Sequence, residues 1–219
     1  MVDDRPAFDP DCYLCPGNTR ASGDQNPRYA STYVFTNDFA ALRPDGGDDV
    51  HHDGLLRAES QAGTCRVICF SPRHDLTLTR MDLDGAREVV EMWIEQTVDL
   101  GRDWRWVQIF ENRGAAMGAS NPHPHGQIWS GAALPENAAR EDASQRRHHA
   151  ATGRRLLLDV VAQEGGGERV VEDGEEWLAL VPFWVVWPFE TMLVPKRPAP
   201  RLPDLDESQR DGLTRTMQR

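Results

Sequence analysis

The sequence predicts an α+β fold, a mostly antiparallel β-sheet with covering helices. Three observations carry that expectation. Short runs rich in aromatic and β-branched residues recur at residues 29–39, 63–70 and 104–111, bounded by turn-forming Gly, Pro, Asn or Asp. Residues 82–101 place Val89, Val90, Trp93, Ile94, Thr97 and Val98 at helical spacing, a stripe suited to packing on a sheet. Asp173-Gly174 sits between two apolar runs in residues 169–181 and marks a β-hairpin turn.

Bulk composition narrows the classes of function. The 219 residues allow one large domain or two small ones, and at 39% hydrophobic with 7 Trp and 7 Phe they can bury a real core. A formal net charge of -11 argues against non-specific binding to nucleic acid or to an anionic membrane. An anionic ligand would have to be held by local donors against that field. No secretory leader is recognisable and no apolar run is long enough to span a bilayer. With 4 Cys, the expectation is a cytoplasmic protein whose thiols are ligands, nucleophiles or small buried hydrophobes.

In chain order, residues 1–11 are polar and proline-containing, with little order expected. Cys12-Tyr13-Leu14-Cys15 precedes a Pro16-Gly17-Asn18 turn. Two thiolates at that spacing can chelate one ion. The rival redox reading wants the second Cys entering a helix, whereas the turn directs a loop. Half a site needs partners, and His74 and His123 are the best candidates, a Cys2His2 set suited to zinc. Residues 29–39 read as a strand ending in Asn37-Asp38-Phe39, where an Asp can accept from ribose hydroxyls or simply make a turn. Residues 43–54 read as a solvated loop with a surface His51-His52 pair.

Residues 63–70 form a second strand. Cys65 and Cys69 stand about 13 Å apart in extended chain and cannot share one ion, so both read as buried thiols. His74 follows at the strand exit. The helix over 82–101 has Asp82 or Asp84 as N-cap and Gly101 as its stop. The strand over 104–111 leads into Gly114-Ala115-Ala116-Met117-Gly118-Ala119, where small residues let backbone approach a ligand and offer N–H groups to an anion.

The chain is organised around Ser120-Asn121-Pro122-His123-Pro124-His125-Gly126-Gln127-Ile128-Trp129. Proline pushes Asn121 and His123 into extended conformations. Alternation then puts Asn121, His123, His125 and Gln127 on one face, and four polar groups there require a ligand, a metal or a reacting group against them. Beyond it, residues 136–163 read as one long helical stretch, with Leu156, Leu157, Leu158, Val160 and Val161 apolar and His148-His149 solvated. Gly165–Gly167 end it. Residues 184–190 and 191–195 add strand material, and Asp206-Glu207 open a last helix.

Four stretches carry a resemblance. They are Cys12-x-x-Cys15-x-Gly17-Asn18, the run from Tyr33 to Leu42, the run from Phe110 to Gly118, and the central motif from Ser120 to Trp129. Together and in this order the chain resembles the galactose-1-phosphate uridylyltransferase family of the histidine-triad superfamily. The resemblance implies a histidine-triad-like fold and ping-pong nucleotidyl transfer. His125 would attack the α-phosphorus of UDP-glucose and release glucose 1-phosphate, and galactose 1-phosphate would take up the uridylyl group. Gln127 would bind the phosphoryl oxygens, with Gly118 and Ser120 on the phosphate side. Leu14, Phe35, Asn37, Asp38, Phe39, Val67, Phe110 and Asn112 fall on positions that hold uridine and ribose. Cys12, Cys15, His74 and His123 fall on zinc positions, and Glu141 on an iron-ligand position whose histidine partners are not in this chain.

Ala119 stands where some members have Cys. Against the family pattern the chain starts late and stops early, so a fragment lacking both ends is expected. Residues 1–134 would be an N-terminal histidine-triad-like half and residues 135–219 the beginning of a second, related half, although no internal repeat is evident. A homodimer is implied for the full-length protein. Two other readings stay open: a related nucleotidyltransferase or nucleotide-sugar phosphorylase with another base or acceptor, and an inactive zinc-binding fragment.

Overall fold

The structure is a computed structural model that describes residues 5–47 and 49–219; the parts of the readings that fell on residues 1–4 and on Asp48 lie outside it. The chain divides into two compact units, Met1–Leu134 and Pro135–Arg219.

The first unit holds β1 (Tyr33–Thr36), β2 (Val50–Asp53), β3 (Leu56–Glu59), β4 (Gly63–Cys69), α1 (Leu83–Leu100), β5 (Trp106–Phe110) and β6 (His125–Gly131). Four strands form one sheet in the order β1-β4-β6-β5, with every pairing antiparallel. Alternation along β4 sorts its side chains onto two faces. Ile68 and Phe70 meet Ala86, Val89 and Met92 of α1, with Ile128 of β6 in the same cluster. Val67 and Cys69 point the other way and pack with Cys12, Leu14 and Cys15. Burying a side chain such as Ile68 or Val89 stabilises by roughly 1.5–3 kcal/mol each, so the helix-covered face is the scaffold. In β6, His125 pairs with Cys69 and Gln127 with Val67, so both stand on the helix-free face. Gly126 between them is packed too closely for any side chain: a Cβ there would lie 2.8 Å from the Phe110 carbonyl oxygen and 3.0 Å from the Phe70 ring.

α1 begins where its sequence says it should. Asp82 accepts from the Gly85 N–H at 2.8 Å, and Gly101 follows the last turn. Of residues 29–39 only β1 is strand, and Tyr29 stands before it in irregular chain. The supposed loop over 43–54 contains β2, which pairs with β3 as an exposed hairpin carrying His51 and His52. Residues 5–11 are tied in: the Ala7 carbonyl accepts from the His74 N–H at 2.9 Å, and the Asp9 carbonyl from the Cys12 N–H at 3.2 Å.

The second unit holds α2 (Glu136–Thr152), α3 (Leu156–Glu164), β7 (Val170–Asp173), β8 (Trp177–Leu180), β9 (Met192–Pro195) and α4 (Glu207–Gln218), with the antiparallel sheet order β7-β8-β9. Leu178, Leu180 and Val194 form its core with Leu157, Val160 and Val161 of α3. The single long helix of the sequence reading is two helices. Gly153 caps α2 in the left-handed region at φ 71, a conformation that ends a helix. His148, read as solvated, instead meets Asp159 across the break, Nε2 to Oδ2 2.5 Å. Asp173 belongs to β7 rather than to the hairpin turn. Residues 184–190 are not strand. Glu190 accepts from the Val186 and Trp187 N–H groups at 3.1 and 3.2 Å, and Phe189 takes φ 63, so the chain folds back on itself between Pro182 and β9.

Candidate active site and metal cluster

The Cys12–Cys15 turn is held by amides. Cys15 N–H donates to the Cys12 carbonyl at 3.1 Å, the Asn18 amide to the Cys12 carbonyl at 2.8 Å, and the Asn26 amide to the carbonyls of Tyr13 and Cys15 at 2.9 and 3.1 Å. Both thiols are buried and free of any disulfide. His74, just beyond β4, and His123, just before β6, are equally buried. Cys15 Sγ stands 3.6 Å from His74 Nδ1 and 3.5 Å from His123 Nδ1, and one ligand atom from each of the four residues lies within 4.8 Å of every other. This is a group of side chains able to hold a metal ion. Glu141 is exposed on α2 and stands outside it.

Electrostatics fit that use. His123 Nε2 is 2.9 Å from the Ser71 carbonyl oxygen, which can only accept, so Nε2 carries the hydrogen and Nδ1 faces Cys15 with its lone pair. Burial holds the His123 imidazole down to about 4, so the ring is neutral. Burial likewise pushes the Cys15 thiol up to about 11, an environment in which a thiolate needs a cation beside it. Cys69 is pushed up to about 12 by burial and stays a thiol.

β6 proper begins at His125, so strand alternation governs His125 and Gln127 alone. Asn121 and His123 precede it in irregular chain and a bend, yet their side chains reach Cys12 and Cys15, which pack on the same helix-free face with Val67 and Cys69. The Asn121 side-chain oxygen accepts from the His123 N–H at 2.8 Å, while its side-chain nitrogen approaches Cys12 Sγ at 3.4 Å. His125 Nδ1 donates to the His123 carbonyl at 2.7 Å, which leaves Nε2 with the lone pair. Burial lowers the His125 pKa, with that backbone bond opposing, and so favours neutral imidazole.

His125 lines two cavities. The first, about 230 Å³, is walled by Leu14, Phe35 and Val67 on its apolar side. Asn37, Asp38, Phe39, Ser120 and Gln127 complete its lining together with Tyr13. Asn37 donates to the Gln127 side-chain oxygen at 3.4 Å, and so does Trp129 Nε1, which leaves the Gln127 amide N–H groups to face the cavity. Asp38 is held by Arg20 at 3.3 Å, and the same guanidinium lies over the Phe35 ring at 4.3 Å. The second cavity, about 550 Å³, has Asn112, Arg113, Glu111 and Arg5 around it and shares Ser120 and His125 with the first. Phe110 and Gly118 line neither. Phe110 sits opposite Gln127 in β5 and meets Trp129 edge-on at 5.8 Å, while Gly118 caps a 3₁₀ turn over Ala115–Met117.

Sequence reasoning missed Tyr13, Arg20 and Tyr29. Tyr13 bonds Ser120 between hydroxyls at 3.2 Å and lies inside the Cys-x-x-Cys turn, where the spacing itself was the available signal. Arg20 and Tyr29 lie in irregular chain and carry no periodic signal.

The family model for galactose-1-phosphate uridyl transferase, N-terminal domain, matches residues 1–135, and the one for its C-terminal domain matches residues 141–219. The galactose-1-phosphate uridylyltransferase of Haemophilus influenzae is 46% identical over 211 residues, covering 95% of this chain and 60% of that protein. That of Rattus norvegicus is 48% identical over 216 residues, covering 98% and 57%. The chain thus spans about three fifths of the length of these relatives. Among solved structures, a uridylyltransferase superposes with a TM-score of 0.85 at 22% identity, covering 99% of this chain and 69% of that one. An ADP-glucose phosphorylase from Arabidopsis thaliana with bound ADP-glucose gives 0.76 at 20% identity, covering 98% and 69%; at such identities the likeness is one of fold. Both family models, the relatives and the fold agree, and the chain belongs to the galactose-1-phosphate uridyl transferase family.

Proposed function

We propose that this chain carries the nucleotidyl-transfer site of a galactose-1-phosphate uridylyltransferase, with His125 as the nucleophile. The observation that carries the reading is the 2.7 Å bond from His125 Nδ1 to the His123 carbonyl, on a neutral ring set between two cavities. Neutral imidazole attacks without first losing a proton, and phosphorylated imidazolium is a good leaving group. His125 Nε2 bonds the α-phosphorus of UDP-glucose, the bond from that phosphorus to the bridging oxygen breaks, and glucose 1-phosphate departs with the bridging oxygen. A phosphate oxygen of galactose 1-phosphate then attacks the same phosphorus, the P–N bond breaks, and UDP-galactose leaves with neutral His125 restored. Throughout, Nδ1–H stays on the His123 carbonyl and fixes the ring. The Gln127 amide donates to the phosphoryl oxygens, where charge shifts during transfer. Leu14, Phe35 and Val67 take the base, and Asn37 and Asp38 the ribose. Ser120, shared by both cavities, serves the phosphate side; Asn112, read as a uridine or ribose position, stands on the second cavity, Phe110 stands behind Gln127, and Gly118 lines neither cavity.

The four-residue cluster is assigned to zinc. Zn–S of ~2.3 Å and Zn–N of ~2.0–2.1 Å at a tetrahedral angle put S and N about 3.6 Å apart, which matches the Cys15–His74 and Cys15–His123 separations. Zinc bound by four protein ligands supplies structure rather than an open catalytic position. Here it would anchor the N-terminal turn to the segment that ends in His125. Free cysteines throughout fit a reducing, cytoplasmic setting.

Intact mass spectrometry after mixing with UDP-glucose tests the reading. One uridylyl adduct, absent in His125→Ala and discharged by galactose 1-phosphate, is the expected result. An adduct formed only from ADP-glucose would move the assignment to another base, and an adduct persisting in His125→Ala would remove His125 from the role.

A further inference from the structure

Tyr29 lies outside every motif above, yet its hydroxyl stands where the metal cluster, the nucleotide cavity and the nucleophile's support meet. It donates to the Leu14 carbonyl at 2.6 Å and lies 3.1 Å from His123 Nε2. Because the Ser71 carbonyl fixes Nε2 as a donor, the Tyr29 oxygen is the second acceptor for that one N–H. The ring is half-buried and stacks on Tyr33 at 5.1 Å, which in turn stacks on Phe35 at 5.5 Å, so the phenol is held in place from its own side.

Each contact leads to a different part of the site. Leu14 lies between the two cysteines, and its side chain walls the nucleotide cavity. His123 presents Nδ1 to Cys15, and its carbonyl accepts from His125. A single hydroxyl therefore sets the position of the chelating turn relative to one histidine ligand, and through that histidine's backbone it sets the aim of His125.

We infer that Tyr29 is a positioning residue: its hydroxyl, bridging the Leu14 carbonyl and His123 Nε2, fixes the geometry of the Cys12, Cys15, His74 and His123 cluster and the orientation of His125. The inference rests on reading that cluster as a metal site. Outer hydrogen-bond partners of ligating histidines typically carry 10–100-fold in metal affinity. Tyr29→Phe keeps the ring and its stacking and deletes the bridge, together with the hydroxyl's contact to the buried Cys69 thiol, leaving a buried carbonyl without that donor.

The test measures zinc affinity by competition with a chromophoric chelator, and the absorption spectrum after Co2+ substitution, on the full chain. Tyr29→Phe is expected to bind zinc about 10-fold more weakly and to show shifted Co2+ bands, while Tyr33→Phe, which deletes the hydroxyl of the neighbouring ring, matches wild type in both. A purely structural role would lower the thermal midpoints of the metal-free and metal-loaded forms alike and leave affinity and spectrum unchanged, and that result overturns the inference. Equal losses in Tyr29→Phe and Tyr33→Phe overturn it as well. A wild-type chain that binds neither Zn2+ nor Co2+ overturns the metal reading and this inference with it, whereas a wild type that binds beside an unaltered Tyr29→Phe overturns this inference alone. The rate of uridylyl adduct formation gives an independent arm. At saturating UDP-glucose it should fall several-fold in Tyr29→Phe, because His125 is less well aimed.

Discussion

His123 and His125 stand two residues apart and are suited to opposite tasks. His123 is buried, with its Nε2 hydrogen directed at the Ser71 carbonyl and the Nδ1 lone pair facing the Cys15 sulfur, in a group of side chains able to hold a metal ion. His125 spends Nδ1–H on the His123 carbonyl and keeps Nε2 for the cavity side. Pro122 and Pro124 constrain the backbone of Asn121 and His123, the residues they follow, and Asn121 fixes the His123 N–H. The two roles separate under substitution. Cys12→Ala is expected to lose zinc, read as metal per chain by plasma mass spectrometry, and His125→Ala to retain it. At a hundredfold excess of metal over Kd, a bound ion stabilises by about 2.7 kcal/mol. At this chain length that corresponds to a midpoint roughly 5–11 °C lower in Cys12→Ala. Unchanged zinc content in Cys12→Ala would take Cys12 out of the ligand set. Both histidines and both cysteines were legible in the sequence because their spacing and flanking prolines are local. Tyr29 was not, because its partners Leu14 and His123 lie 15 and 94 residues away.

At the scale of elements, the readings that held were those decided by neighbours in sequence. α1 follows from Asp82 and a continuous apolar stripe, and α4 from Asp206 with Gln209 three positions on, a reciprocal capping box. Failures came where one residue overrode a window. Gly153 divides a stretch whose composition favours helix throughout. The Trp184-Val185-Val186-Trp187 run has the composition of a strand, but Pro188, the left-handed Phe189 and the Glu190 carboxylate turn it into a loop. The α4 cap carries a pH signature. The Asp206 carboxyl is held below its ordinary range chiefly by the Gln209 N–H, then by the Ser208 hydroxyl and Arg197. A depressed folded value means the stabilisation is present above the ordinary carboxylate pKa, near 4, and is lost as pH falls through the folded value. Asp206→Asn keeps a cap without the charge. Its thermal midpoint should therefore fall less steeply than wild type between about pH 5 and 3. Identical slopes for the two would show that the charge contributes nothing there.

Over the whole molecule, each of the two units has a principal sheet with its own hydrophobic cluster, four-stranded in the first and three-stranded in the second. In the first, the covering helix takes one face of the four-stranded sheet and leaves the other to the cysteine turn and to the side chains of His125 and Gln127. The α+β class and the antiparallel pairing could be foreseen, since each strand was short and flanked by turn residues. Which face would carry chemistry could not, because that depends on pairings such as His125 with Cys69 across 56 residues of chain. Among the described residues no helix is long and apolar enough to cross a membrane. The loop between β8 and β9 nevertheless holds Phe183, Val186, Trp187 and Phe189 out at 77%, 78%, 74% and 100% exposure on a backbone tied by Glu190. Such a crest of oily rings governs how the purified chain handles at the bench. It should light up anilinonaphthalene sulfonate while still natively folded and be retained on a phenyl matrix, and Trp187→Ser with Phe189→Ser should weaken both; a dark, unretained wild type would mean the crest is sheathed in solution.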